Sequence, residues 1–308
     1  NMSELSKVNG WAGKDNPSLV ESEFNLIKND GSFRDFNVYG KSQDTKGKKM
    51  MLYEVVRKVL GKDTDSYPQE IGDCVSFGAK NAIEYLMATE KLMKGDHEKF
   101  EPIFPPYLYG TGRVLVGRGQ LNGQDGSLGS WMADAVIKYG VLRSNFDGLP
   151  KYAGSVAKKW GDTPGPDKKF IEEGAKHPVK SAAQIKTWDQ LVEAIVNGYP
   201  CTTASNVGYT MTPANDGFHR QTDNWGHQMC FIGVDDRADD PYAIIVNSWG
   251  DIHGELKDFN TGQSLPLATL RVRKKDAEKH LRAGETFAYS NFDGFQEQLI
   301  DKKLFMLI

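Results

Sequence analysis

The run Ile244-Ile245-Val246-Asn247-Ser248-Trp249-Gly250 is the stretch on which the fold turns. Ile, Ile and Val are β-branched, stiff at χ1, and suit a pleated, buried strand. The run stops at an Asn, followed by a Trp. Twenty residues upstream, Trp225-Gly226-His227-Gln228-Met229-Cys230-Phe231-Ile232-Gly233 sets a His inside a second apolar run of the same kind. Two adjacent antiparallel strands would bring His227 and Asn247 side by side. The Asn oxygen could then accept from the imidazole and fix its tautomer and orientation, and Trp249 could cover that bond from water. Taken singly, each residue has a plainer reading: Asn247 as a strand-end turn residue, His227 as a satisfied core or edge histidine.

A third piece lies far upstream, in Gly72-Asp73-Cys74-Val75-Ser76-Phe77. Val75, Ala79, Ala82, Ile83, Leu86 and Met87 recur at three- and four-residue spacing, which predicts an amphipathic helix from Cys74 to about Met93. Cys74 opens it. Orphan N–H groups and the helix dipole at that position favour a thiolate over a thiol, and a thiolate beside a histidine is an activated sulfur nucleophile. The plainer reading of a free cysteine is a buried apolar filler. Cys201 and Cys230, inside strand-like runs, take that reading.

Around these pieces the period of the sequence changes. Residues 1–49 are polar and read as an extended arm with at most one short helix. Leu52 to Leu60 is helical, with Gly61 as its stop. The Gly-rich stretch Pro102–Gly129 reads as loops, with Ser130 as N-cap of a helix over residues 131–139. Residues 148–181, with several prolines and lysines, read as a connection. Thr187-Trp188-Asp189-Gln190 is a capping box before Leu191–Val196. Beyond it the period is two, with short runs at residues 201–204, 229–234, 243–246, 267–272 and 286–289. Helices first and strands later predict an α+β protein of two lobes.

The composition narrows the function classes. The chain has 308 residues, 34.3 kDa, a net charge of −3 and 26% charged residues, enough length for a sizeable core. Mean hydropathy is −0.52, and no uninterrupted run of about 18 apolar residues is present, so no membrane helix is expected. The near-neutral charge argues against a general nucleic-acid binder. Three cysteines cannot form a disulfide framework and favour a reducing, cytoplasmic compartment. The opening Asn1-Met2-Ser3-Glu4 lacks the basic and apolar regions of a secretory signal.

In shared order these pieces resemble the papain-like cysteine peptidases, in which a histidine and an asparagine lie far downstream of the nucleophilic cysteine. The likeness rests on four local matches between Gln69 and Gly254. Asn247-Ser248-Trp249-Gly250 with Gly254-Glu255 is the most specific. His227 in its Gly-His-Gln-Met setting, the Gln69–Phe77 segment, and Gly126-Ser127-Leu128-Gly129-Ser130-Trp131 are the others. The resemblance implies a papain-like bilobal α+β fold: an N-terminal extension over 1–60, a helical lobe over 61–160 carrying Cys74, and an antiparallel, barrel-like β lobe over 161–308 carrying His227 and Asn247. It further implies a peptide or protein substrate and a thioester acyl-enzyme, with no cofactor or metal. Cys74 is then the nucleophile, His227 the acid and base, Asn247 its orienter and Gln69 an oxyanion donor. Gly129, Ser130, Gly226 and Trp249 would line the substrate groove, Gly129 and Ser130 through backbone bonds.

The sequence also departs from the family. Gln69 stands five positions before Cys74 where six is usual. Glu70 and Ile71 stand where the family keeps a disulfide cysteine, and Val75 replaces an aromatic residue. Residues 1–60 lack the long helix of the family's inhibitory pro-segment, so a classical zymogen is not expected, although an arm could still cover the groove.

Other constellations carry less. His227-x-x-Cys230 lacks a second metal-ligand pair, and in a strand its side chains face opposite sides. Asp235, Asp236, Asp239 and Asp240 lack the regular calcium-loop spacing. Gly110-Thr111-Gly112 is no phosphate loop. Lys48-Lys49 and Lys302-Lys303 read as solvated charge. The apolar Leu304–Ile308 end reads as a docked tail or, with the N-terminal arm, a contact for a protein partner. The rivals to a peptidase are a Cys-His hydrolase of cell-wall peptides and a catalytically silent assembly protein.

Overall fold

The computed structural model describes residues 9–29, 33, 45–95 and 98–292. The first eight residues, Lys302-Lys303 and the apolar Leu304–Ile308 end lie outside the described residues.

The chain arrives extended over residues 9–11, turns over residues 12–15 and enters helix α1 (Pro17–Lys28). Asn16 caps it, its Oδ1 accepting from the Leu19 N–H at 3.2 Å, and Pro17 suits the first turn. Val20, Glu23 and Ile27 face inward. This twelve-residue helix fits the short helix that the reading of the arm allowed, and a helix of this length is stabilised mainly by the surface it packs on. After strand β1 (Lys49–Met51), helix α2 (Leu52–Leu60) ends at Gly61, whose φ of 71° is the left-handed stop expected of it. Helix α3 (Cys74–Thr89) is buried along its whole length and runs on into a π-helical turn, Glu90–Lys94. A helix apolar on most of its surface belongs in the middle of a molecule.

The loops predicted over Pro102–Gly129 are partly helical: α4 (Pro105–Gly110) leads into a π-helical segment, Thr111–Val116. The organiser is Arg113, 1% exposed, which donates to the carbonyls of Gly161 (2.7 Å), Leu121 (2.6 Å) and Gln124 (2.7 Å), and to that of Gly126. These partners lie beyond the reach of a helical period, from 8 to 48 residues on, so no periodic pattern announces them. Helix α5 (Gly129–Lys138) starts one residue before the predicted cap, with Leu128 at the N-cap. The connection predicted over 148–181 contains α6 (Gly154–Gly161) and α7 (Lys168–Gly174), held by the stacking of Trp160 on Phe170 at 5.1 Å.

The β side follows: β2 (Val179–Gln184), α8 (Trp188–Val196), β3 (Cys201–Tyr209), β4 (Gln221–Asp235), β5 (Tyr242–Val246), β6 (Thr269–Arg273), α9 (Lys274–Arg282) and β7 (Glu285–Phe292). Thr187 caps α8 as predicted, accepting from the Gln190 N–H at 3.2 Å. Helix α9 has a mostly charged sequence and buries only a narrow stripe that includes Ala277, His280 and Leu281, too little for a periodic signal. The strands form one seven-stranded antiparallel sheet ordered β2-β7-β3-β4-β5-β6, with β1 added alongside β4. Helix α3 packs against β4, so the start of a buried helix meets the middle of the longest strand. Cys201 and Cys230 sit on the neighbouring strands β3 and β4, both fully buried.

Candidate active site

The site forms where the first residue of α3 meets β4 and the end of β5. Strands β4 and β5 are adjacent and antiparallel, with Cys230 opposite Val246. Asn247, one residue beyond β5, therefore reaches His227: the His227 Nε2–H donates to Asn247 Oδ1 at 2.6 Å. The Ser248 N–H donates to the same oxygen at 2.7 Å. Trp249 lies over the imidazole, ring centres 4.3 Å apart, and Trp225 closes on Trp249 at 4.7 Å. The remaining imidazole nitrogen, Nδ1, has no hydrogen-bond partner among the described residues. Cys74 Sγ sits against the backbone of the next residue on β4, accepting from the Gln228 N–H at 3.4 Å.

Gln69 is tied to the same corner. Its backbone N–H donates to Ser248 O at 2.8 Å, and its Oε1 accepts from Ser248 Oγ–H at 2.5 Å. Its Nε2 donates to Ile71 O at 2.9 Å, on the short loop that leads to Cys74.

The groove beside Cys74 is filled by the chain's own arm. Gly226 O accepts from the N–H groups of Gly10 (3.0 Å) and Trp11 (2.9 Å). On the other wall the Ser127 N–H donates to Gly10 O at 2.8 Å, and Ser127 O accepts from the Ala12 N–H at 2.9 Å. These two bonds bracket Trp11 in a parallel bridge with Ser127. At Gly10 a Cβ would stand 2.0 Å from Gly72 O, so only glycine passes this close to the loop before the nucleophile. The Gly10 N–H also points at Cys74. What the arm offers the sulfur is thus an N–H, which is no electrophile.

Trp11 fills a pocket with a polar floor. The indole N–H donates to Glu285 Oε2 at 2.5 Å, and the same carboxylate accepts from the backbone N–H groups of Gly129 and Ser130, each at 2.9 Å. Glu285, fully buried at the start of β7, thus caps α5 from across the molecule and complements its positive end. This relocates two residues expected to line the groove. The amides of Gly129 and Ser130 turn inward to Glu285, and the backbone that pairs with the arm belongs to Ser127, two residues earlier. Gly226 does face the arm, through its carbonyl.

Burial sets the electrostatics. Cys74 is fully buried, and burial pushes its thiol up to about 12, against the N–H groups of Gln228, Gly10 and Val75. Burial likewise pushes the His227 imidazole down to about 3, against its bond to Asn247. With the arm in place both groups are neutral. Asp73, beside Cys74, is also buried, and its carboxyl is pushed up to about 8. Among the described residues no group of three or more His, Cys, Asp or Glu converges as a metal site would need, and no helix is long and apolar enough to cross a membrane.

The architecture, a central buried helix packed on an antiparallel sheet, is shared with solved cysteine proteases. The fold is papain-like. No family model and no curated protein sequence matches the chain; the likeness is one of structure. Xylellain, a cysteine protease from Xylella fastidiosa, superposes with a TM-score of 0.54 at 14% identity over 82% of this chain and 90% of that one. Procathepsin B S9 from Trypanosoma congolense gives 0.59 at 11% identity over 94% and 88%. Digestive procathepsin L 3 of the Tenebrio molitor larval midgut gives 0.54 at 16% over 87% and 79%.

Within this papain-like fold, sequence reading passed over Ser127, Glu285, Asp73 and His253. A glycine-rich segment flanking a helix could have pointed to Ser127. Nothing local to Glu285, 156 residues from Gly129, marks it as the cap of α5.

Proposed function

We propose that this protein is a cysteine-type peptidase, folded with its own N-terminal arm in the substrate groove. The observation that carries the reading is the groove's occupant. An extended peptide is held by backbone bonds on both walls, by Gly226 and Ser127, directly beside a cysteine, a histidine and an asparagine. A groove that binds main chain in this way suits a peptide of variable sequence.

In the chemistry this reading implies, the arm leaves and water enters, which removes the burial that keeps Cys74 and His227 neutral. Cys74 passes its proton to His227 Nδ1, and the resulting thiolate attacks the carbonyl carbon of a bound peptide. Gln69 Nε2 and the Cys74 backbone N–H receive the oxyanion, each such donor worth about 3–4 kcal/mol in a well-built site. His227 passes its proton to the leaving amine, and a thioester remains. His227 then takes a proton from water, the hydroxide attacks the thioester carbon, and the acid leaves as the thiol is restored. Asn247 holds the ring through both steps, under Trp249.

The arm's anchor offers the test. Truncating Trp11 to alanine removes a buried indole and its bond to Glu285, at a cost of about 3–5 kcal/mol. That raises the population with an open groove by roughly 150-fold or more. In the Trp11→Ala chain, a thiol-reactive peptidyl inhibitor is expected to label Cys74 and unstructured peptides to be cleaved, with both lost in a Cys74→Ala double variant. A folded Trp11→Ala protein whose Cys74 is not labelled sinks the proposal. It would favour the second reading, a silent binding protein, which the neutral, covered Cys74 also fits. Turnover of cell-wall stem peptides but not of protein would redirect the substrate class.

A further inference from the structure

We infer that His253 is a positioning residue, which acts through Asn247 to hold His227 in its working tautomer. The inference deepens the peptidase reading above and rests on it.

An asparagine amide has two faces of nearly equal shape and opposite polarity. Only the face with oxygen toward His227 can accept from its Nε2–H. A backbone group, whose role is fixed, reveals the orientation here, and partners on both faces of the amide hold it. The Ser248 N–H can only donate, and it lies 2.7 Å from Asn247 Oδ1, so the oxygen is on the His227 side. The nitrogen, Nδ2, is left 2.7 Å from His253 Nε2. An amide nitrogen only donates, so His253 Nε2 must offer its lone pair and the proton must sit on Nδ1. That nitrogen faces a carbonyl, Met211 O, at 3.2 Å.

The chain of roles closes one residue further on. The Arg271 N–H points at His219 Nδ1 at 3.3 Å, which leaves His219 Nε2–H to donate to His253 O at 3.2 Å. Each ring nitrogen from His219 to His227 thus has one permitted role. The end of the chain is the functional one: with Nε2 protonated against Asn247, the lone pair of neutral His227 is on Nδ1, the nitrogen with no partner among the described residues. His253 itself is fully buried, under Trp225 and Trp249. If its acceptor is removed, Nδ2 loses its buried partner and the reversed amide is no longer penalised on that side.

The test uses the full chain with ¹⁵N-labelled histidine. His253 is expected as the Nδ1–H tautomer, and His227 to show a slowly exchanging Nε2–H. A His253→Leu variant is expected to lose that His227 signal. In the Trp11→Ala background it should also lower kcat about tenfold or more, with KM within about twofold. His253→Gln, whose Oε1 can still accept, should restore both. A wild-type His253 protonated on Nε2, or a folded His253→Leu variant that keeps the His227 signal, overturns the inference. The wild-type tautomer decides even if His253→Leu does not fold. Because the spectra need no turnover, a chain that cleaves no peptide yet shows this dependence separates failure of the peptidase reading from failure of this one.

Discussion

Cys74 has a carboxyl as its immediate neighbour, and that neighbour sets the high-pH behaviour of the site. Asp73 is fully buried. The Tyr152 hydroxyl donates to its two oxygens at 3.1 and 3.4 Å and accepts from the Glu70 N–H at 2.8 Å. Burial raises the Asp73 carboxyl to about 8, so it stays neutral below that pH. Once ionised, it puts a negative charge one residue from the sulfur and disfavours the thiolate. In the arm-released protein Asp73 still has the Tyr152 hydroxyl on it, and kcat/KM is expected to fall with rising pH as this carboxyl ionises. Asp73→Asn should move that limb upward, and an unmoved limb would remove Asp73 from the account. At this scale the sequence was legible where chemistry follows strand alternation or a helix start, as at His227, Asn247 and Cys74. It was not legible at Asp73 or His253, whose roles depend on burial that no local pattern reports.

At the scale of elements, α5 and β7 depend on each other through one carboxylate. Glu285 answers three N–H groups: two at the start of α5 and one from the arm. Glu285→Gln keeps the shape but removes the charge that complements the helix end, and it turns one acceptor into a donor. The expected cost is about 2 kcal/mol or more, read as a lower midpoint of chemical denaturation, with faster labelling of Cys74 as the arm loosens. A variant of unchanged stability would mean that solvent can satisfy α5 unaided. Helix α1 anchors the arm from the other side. Glu23, 5% exposed, receives Arg118 at 2.7 Å and the Trp131 indole N–H at 2.9 Å. Elements with their own caps and stripes, such as α2, α3 and α8, could be read directly. One organised from a distance, α5 by Glu285, could not, because the deciding hydrogen bonds join residues remote in sequence.

Across the whole molecule, His227, His253 and His280 are buried and neutral, with burial lowering their imidazoles to about 3, 4 and 3. Their unfolded values are near 6.5. Between those limits the unfolded chain binds more protons than the folded one, so these groups make stability fall as pH drops from about 6.5 toward 4. Asp73 acts in the opposite sense: its contribution is full below its unfolded value of 3.8 and is lost as pH rises through about 8. His219, also lowered by burial, joins the three, and together they outweigh Asp73 and the buried Glu84, whose carboxyl is raised, over the acid range. Tm is therefore expected to decrease steadily from pH 7 to pH 4, and a flat profile would contradict the burial of these rings. The arm has a consequence of another kind. Trp11 and the groove it fills are parts of one covalent chain, so the blocker's local concentration is set by the length of the tether. Dilution, which empties a groove of a separate ligand, leaves this arm in place. Any lag before activity appears by simple release of the arm would be first order, with the same half-time at every protein concentration.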